Sequence, residues 1–293
     1  MTDRHDHSGW RVYALLGFAL VVWGSAFAGI RVVVNDGSYS PGQLTFVRLT
    51  IAAMTLLCYA LHRRVRLPAL RDVPLVVLLG FSGIALYHTC LNHGEQMVTA
   101  GAASFIVALS PVFAVVFAMV ISGDRPRPRV WLGMAISFAG VTLIAMGDSG
   151  GIRFSPGALL VLVSAASGGF FIAAQRPLLK KYSATEAATW FMLVGAMLTS
   201  VFAPGCLHTI RTAPLKATVA VVYLGIVPGA VAYLVWAYVL ARLPVARAAS
   251  GLYLTPVITV AIALVWPGEM PAMLTLAGGV LALAGVIIVN RTR

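Results

Sequence analysis

Ten apolar runs follow one another along this chain, near residues 12–34, 42–61, 73–92, 99–121, 130–147, 157–175, 187–204, 217–240, 248–266 and 272–290. Each is close to the roughly 20 residues that a helix needs to cross a hydrocarbon core. None alternates polar and apolar letters, and backbone groups in lipid must find partners within their own segment, so the runs predict helices rather than a barrel. Ser40-Pro41-Gly42, Asp124-Arg125-Pro126-Arg127-Pro128, Ser155-Pro156-Gly157 and Pro267-Gly268-Glu269 punctuate them. The chain is 60% hydrophobic and 10% charged, against roughly one-quarter charged residues in a soluble domain. With ten spans placed, too little of the 293 residues remains for a soluble catalytic or nucleic-acid-binding domain. The bilayer, not nucleic acid, is the expected partner.

In such a chain the net charge of +12 reads first as orientation. Assigning alternate loops to opposite sides puts 16 of the 21 Lys and Arg together, among them Arg63, Arg64, Arg66, Arg71, Arg125, Arg127 and Arg129. Only Arg31, Arg153, Arg211 and Lys216 fall on the other side, and Arg48 falls inside a span. By the positive-inside rule both termini are cytoplasmic. A count of nine or eleven spans would break this sorting. Arg4 and Arg11, the apolar stretch 12–22 and Ala26-Phe27-Ala28 mimic a cleavable signal peptide, but an internal repeat runs through them and they are read as a retained first helix. Cys58, Cys90 and Cys206 show no CxxC pair or metal-ligand spacing. They are expected to be small apolar core residues, and neither a metal nor a cofactor is expected.

The repeat appears at one ungapped offset of 145 residues. Gly24, Ala28 and Arg31 fall on Gly169, Ala173 and Arg176; Leu109, Pro111 and Val112 fall on Leu254, Pro256 and Val257; Gly123 and Pro126 fall on Gly268 and Pro271. Matched Ala and Val pairs alone would be weak in so apolar a sequence, but matched Gly, Pro and Arg are not. Each half holds five spans, an odd number that turns the second half upside down in the membrane. The expected fold is therefore an all-α membrane protein of ten transmembrane helices, two inverted five-helix repeats at 1–147 and 153–293 around a central cavity. Inverted repeats with a site near the midplane are a mark of secondary transporters.

Trp23-Gly24-Ser25-Ala26-Phe27, Phe46-Val47-Arg48-Leu49, Ser110-Pro111-Val112 with its repeat Thr255-Pro256-Val257, and Gly268-Glu269 resemble the drug/metabolite transporter superfamily, in its ten-helix EamA-type branch. The resemblance covers essentially the whole chain and is closest to amino-acid exporters, including those of aromatic amino acids. It implies a bacterial-type inner-membrane efflux protein with a cavity between two repeats. One departure is Asp124-Arg125, where that family often has Gly-Glu.

The nine carboxylates all fall at loops or helix ends, so none is expected deep in the membrane. This argues against export of lipophilic cations and against a carboxylate proton relay, and leaves His88 as the expected route for any proton coupling. His93-Gly94-Glu95 lacks the second His of a zinc-protease motif, and no GxSxG or GxxxxGK occurs, so no enzyme is expected. Arg48 either attracts a substrate carboxylate or lies nearer the external surface, snorkels or bonds carbonyls, and fixes packing; packing is the favoured reading. Tyr87, His88 and Asn92 share a helical face closely enough to bond a zwitterion weakly, with helix–helix hydrogen bonding as the plainer alternative. Phe171, Gln175, Tyr233, Trp236 and Tyr253 form the candidate group of the second half, with Trp23 from the first, rings that could stack on a substrate or simply pack. Trp10, Trp190 and Trp266 fit an interface belt better. Pro111 and Pro256 would free the carbonyls of Val107 and Leu252 and act as hinges or static kinks. Gly225 and Gly229 suit close helix packing.

The reading is an exporter of amino acids, aromatic ones included, and related metabolites, acting as a monomer by alternating access. The alternatives are an exporter of other small neutral metabolites or drugs and, more remotely, a structural scaffold. The charge sorting predicts that cysteines placed at 63–71 resist an impermeant reagent added to the outside while one at 211 is labelled. Equal labelling at 127 and 211 would refute the orientation.

Overall fold

The computed structural model describes residues 6–123, 128–148, 155–240, 242–243, 251–266 and 268–291. Among them there is no strand. Asp124, Arg125 and Arg127, together with Arg4, Arg153, Arg247 and Arg293 of the charge sorting, lie outside the described residues.

The helices follow the apolar runs closely. α1 (Asp6–Asn35) and α2 (Pro41–Arg63) are unbroken. Ser40 starts α2: its hydroxyl accepts from the Gln43 N–H while the Gln43 side chain accepts from the Ser40 N–H, two otherwise orphaned donors satisfied reciprocally. The third run is α3 (Val73–Leu79), a π turn over Gly80–Leu86, and α4 (Tyr87–Gly94). The fourth is α5 (Ala100–Val107) and α6 (Ser110–Ser122), and the fifth is α7 (Pro128–Asp148).

In the second half, α8 (Pro156–Ala174) is followed by the short α9 (Arg176–Leu179). Next comes α10 (Ala184–Leu198), capped by Ser183 and Glu186 as α2 is by Ser40 and Gln43. A short helix absent from the sequence reading, α11 (Cys206–Thr212), precedes α12 (Leu215–Ile226), a π turn over Val227–Val231 and α13 (Ala232–Leu240). A 3-10 turn at Leu252–Leu254 leads into α14 (Thr255–Val265), and α15 (Met273–Arg291) ends the described chain.

Among the described residues seven helical spans are long and apolar enough to cross a membrane, and Pro128–Ile144, Leu252–Val265 and Met273–Val289 are shorter apolar helices. Val120, Met197, Val201 and Val265 stand exposed on the outside of the bundle, which suits a surface solvated by lipid tails rather than water. The chain is a multi-pass membrane protein.

Landmarks recur 145 residues apart. The first π turn, moved by that offset, covers the second, Val227–Val231; the helix starts at Ser110 and Pro128 answer those at Thr255 and Met273; Gly123 and Gly268 are both left-handed, at φ 68° and 71°. Tertiary contacts pair in the same way. Gly24 of α1 backs onto Ile258 and Thr259 of α14, and Gly169 of α8 backs onto Phe113 and Ala114 of α6. α7 and α15 run antiparallel, with Gly133 against Gly285, Gly140 against Gly278, and the Ser137 hydroxyl between them donating to the Ala282 carbonyl at 3.2 Å. Small residues let two backbones approach closely where no hydrophobic effect drives helices together.

Two smaller expectations are corrected. Trp190 is not at an interface belt but buried edge-on against Tyr182, and Cys58 is exposed rather than in the core. Trp10 and Trp266 do stand exposed.

A Cβ on Gly140 would lie 2.6 Å from the Gly278 carbonyl oxygen, and backbone cannot step aside as a side chain can. Gly140→Leu is therefore expected to cost at least the ~1–3 kcal/mol of an overpacked site, read as a lower thermal midpoint and monodisperse yield in detergent. Gly17→Ala, where nothing lies within 4 Å of the new Cβ, should leave both unchanged.

Candidate functional site

The most constrained polar group in the bundle is the guanidinium of Arg48. It sits on α2 one turn beyond Thr45, and only 3% of the residue is exposed. It does not snorkel to a surface, one of the two options the packing reading allowed, but bonds a side chain inside the bundle. Its Nη1 donates to Asn92 Oδ1 at 3.3 Å, the Asn92 amide donates to Thr45 Oγ1 at 2.7 Å, and Thr45 donates to the Pro41 carbonyl at 2.7 Å. Both ends of the Asn92 amide are thereby fixed, and α4 is tied to α2. This is the packing role expected of Arg48. One hydrogen bond nevertheless leaves most of the five donors of a guanidinium unspent.

Around Arg48 stand Tyr87, Tyr233 and Glu95, all within electrostatic reach, and His88 faces it as well. The Tyr87 and His88 rings meet edge to face at 4.9 Å, and the buried Nδ1 of His88 has no hydrogen-bond partner. Backbone loosened by the π turns is satisfied from neighbouring helices. Ser167 donates to the Ser82 carbonyl at 2.5 Å and Ser164 to the Tyr87 carbonyl at 2.9 Å, while Trp23 Nε1 donates to the Pro228 carbonyl at 3.3 Å. That last bond delivers Trp23 to an aromatic cluster, with Tyr233 at 5.9 Å and Trp236 at 5.3 Å between ring centroids. Such pairs contribute about 0.5–1.5 kcal/mol beyond their buried area.

Tyr87, His88, Asn92 and Tyr233 thus gather around Arg48, and Tyr233 leads on to the rings of Trp23 and Trp236. The other named residues stand apart. Phe171 packs edge-on against Phe191 at 5.2 Å and fills the space left by Gly83. Gln175 ends α8, half-buried, and Tyr253 lies half-buried on the 3-10 turn against the large apolar core. At Pro111 the freed Val107 carbonyl accepts the Ser110 hydroxyl at 2.8 Å, so it lines no cavity. The Leu252 carbonyl accepts the Thr255 N–H. Gly225 and Gly229 bring α12 and the second π turn onto α2, at Ile51 and Ala52.

One end of the bundle is closed by charge. Arg31 of α1 forms an ion pair with Glu269, beyond α14, and also donates to the Glu95 carbonyl at 2.5 Å; the other Glu269 oxygen accepts the Ala100 N–H at 3.1 Å. Three segments distant in sequence are held at one point. The sequence reading singled out Arg31 and Glu269 separately and missed that they meet.

It also missed Glu95. This residue ends a helix, as expected, but its complete burial within the bundle was not foreseen. Neither of its carboxylate oxygens has a hydrogen-bond partner among the described residues. Burial pushes its carboxyl well above the usual carboxylate range, against the pull of Arg48 and Arg31 and with a further push from Glu269. The only sequence sign was an acid placed one turn after an amide on a helix already carrying Tyr87 and His88.

Similar proteins locate the chain. Residues 10–146 and 155–291 each match the EamA-like transporter family. The chain is 39% identical to a probable terminal-alkyne amino-acid exporter of Streptantibioticus cattleyicolor, over 96% of this chain and 93% of that protein. It is 37% identical to the uncharacterized transporter YdfC of Bacillus subtilis, over 94% and 90%, and 29% identical to the uncharacterized inner membrane transporter YedA of Escherichia coli, over 92% and 88%. A solved crystal structure superposes with a TM-score of 0.61 at 22% identity, over 95% of this chain and 96% of its own, a likeness of fold alone. These relatives are transporters of small molecules, not enzymes. Matched in both halves and related over its whole length, the chain belongs to the EamA-like transporter family.

Proposed function

We propose that this chain is an inner-membrane exporter of amino acids, aromatic ones included, that works as a monomer by alternating access. Its halves, 1–147 and 153–293, are inverted five-helix repeats with both termini in the cytoplasm, and the substrate site lies between them. The observation that carries the reading is the Arg48 group: a buried cation with unspent donors, beside Tyr87, His88 and Asn92 and next to the rings of Trp23, Tyr233 and Trp236. The reciprocal contacts of α1 with α14 and of α8 with α6, and the antiparallel glycine pairs of α7 and α15, support the inverted arrangement. Full-length similarity to a probable amino-acid exporter supports the substrate class.

In this reading Arg48 takes the substrate carboxylate, Tyr87, His88 and Asn92 orient it, and the three rings accept an aromatic side chain. Phe171, Gln175 and Tyr253 line its outskirts. The Arg31–Glu269 pair closes the outer end, and Pro111 and Pro256 allow helix four and helix nine to bend when it opens. Charges brought out of water must be paid for before they are paired, so affinity is modest, which suits an exporter that acts only when cytoplasmic substrate is abundant.

Efflux from liposomes across a panel of amino acids, their decarboxylated amines and unrelated neutral drugs tests the reading. Aromatic amino acids should lead, and Trp236→Ala should raise the KM for them about tenfold, the loss of one or two ring contacts, while changing that for alanine little. Movement of drugs but of no amino acid would overturn the assignment and favour the drug-exporter alternative. In the same assay Pro111→Ala or Pro256→Ala should slow transport more than it lowers folded yield. Wild-type rates in both would make the prolines packing features only.

A further inference from the structure

Arg48 and Glu95 are opposite charges on facing helices, both buried, and the structure pairs neither fully. Arg48 bonds the amide of Asn92, and Asn92 stands three residues before Glu95 on α4. Three residues of helix rise about 4.5 Å. Residues three apart share a helix face, and Glu95 is the strongest charge acting on Arg48, so the two poles are near enough for one small zwitterion to reach both.

The described surroundings leave Glu95 no other partner. From α1, Arg31 spends its guanidinium on Glu269 and on the Glu95 backbone carbonyl. Glu269, from beyond α14, is an acid like Glu95 itself and already accepts from Arg31 and Ala100. From α2 comes Arg48, and from α13 Tyr233, which faces Arg48. On α4 itself stand Tyr87 and His88. Gly94 is backed by Gly157 and Val161 of α8, which do not titrate. A buried carboxylate with no donor is costly; a ligand with a positive end removes that cost.

We propose that Glu95 is the second pole of the substrate site: it takes the ammonium of an amino acid whose carboxylate lies on Arg48, and in the absence of substrate it takes a proton. The proposal rests on the amino-acid reading above. Its consequence is exchange. At the cytoplasmic face the substrate ammonium displaces the Glu95 proton, which leaves to the cytoplasm; at the outer face the ammonium departs and a proton from outside replaces it. One proton enters for each amino acid exported. The raised affinity of the buried carboxyl for protons suits this role, because a group at the usual carboxylate value would stay empty near neutrality. His88 is the poorer relay, since a proton there would add a second positive charge beside Arg48.

The test uses the full chain in detergent and in liposomes, with tryptophan, tryptamine and indolepropionate as probes. Tryptophan added to wild type in weak buffer should release close to one proton per chain, and an inward proton gradient should drive its efflux. Glu95→Gln should abolish the release and the response to the gradient, and should bind tryptophan no better than indolepropionate. Glu95→Asp, which keeps the charge, should restore both with a shifted pH profile. The infrared carbonyl band of a protonated carboxyl, present in wild type without substrate and absent in Glu95→Gln, checks protonation independently of transport. Tryptophan transport without proton release, or an unaltered tryptophan preference in Glu95→Gln, would overturn the proposal while leaving the exporter reading intact. If no amino acid moves in wild type yet the band is present, the exporter reading fails and the protonation site stands.

Discussion

A guanidinium inside a helical bundle costs about 2.5–3.5 kcal/mol on insertion scales, and more where nothing solvates it. Arg48 is such a group, and the helices around it are arranged as though to offset that cost without cancelling it. Thr45 and Asn92 give it a fixed seat, and Glu95 stands near as a group that becomes its countercharge only on losing a proton. If Glu95 bonded Arg48 directly, the pair would be self-sufficient and a substrate would have nothing to gain by entering. Incomplete pairing keeps the centre receptive.

The backbone follows the same logic. In lipid an unbroken helix satisfies all its own groups and presents nothing but side chains. The two π turns and the breaks before Ser110 and Thr255 are where helices three, four, eight and nine give that up. Each loosened carbonyl is then taken by a side chain: Ser82 by Ser167, Pro228 by Trp23, Val107 by Ser110. Two of these bonds join elements from opposite halves of the chain, so a motion of one half is felt at the other through specific hydrogen bonds rather than through apolar contact alone.

The membrane architecture was readable from the letters because its signals are local. Run length, capping Ser and Gln at 40 and 43, and Pro at the helix starts each act within a turn or two. The repeat was readable because Gly and Pro tolerate few substitutes where backbones meet or bend, and Gly24, Gly140 and Gly278 do lie at such contacts. Residue type singled out Trp23, Tyr233 and Trp236, whose rings do meet, but could not tell that the Phe171 ring packs against Phe191. What escaped the sequence were the long-range partnerships: Arg31 with Glu269, 238 residues away, and the burial of Glu95. Helix-end acids are ordinarily solvated, and no periodicity tells that another helix will cover one.

These contacts divide the molecule by stiffness. α7 and α15 touch backbone to backbone through Gly133, Gly140, Gly278 and Gly285, a seam in which sliding by even one residue would drive side chains into carbonyls. The closure at Arg31, Glu269 and Glu95 is held instead by charged hydrogen bonds from three separate segments. Such bonds can be traded for water one at a time, and a close-packed seam cannot. In the proposed exporter, movement belongs to α1 and to the segment that carries Glu269, with the α7–α15 pair as the fixed axis and the opening at the end where Glu95 lies. The residue with the least satisfied charge sits beside the closure most easily undone.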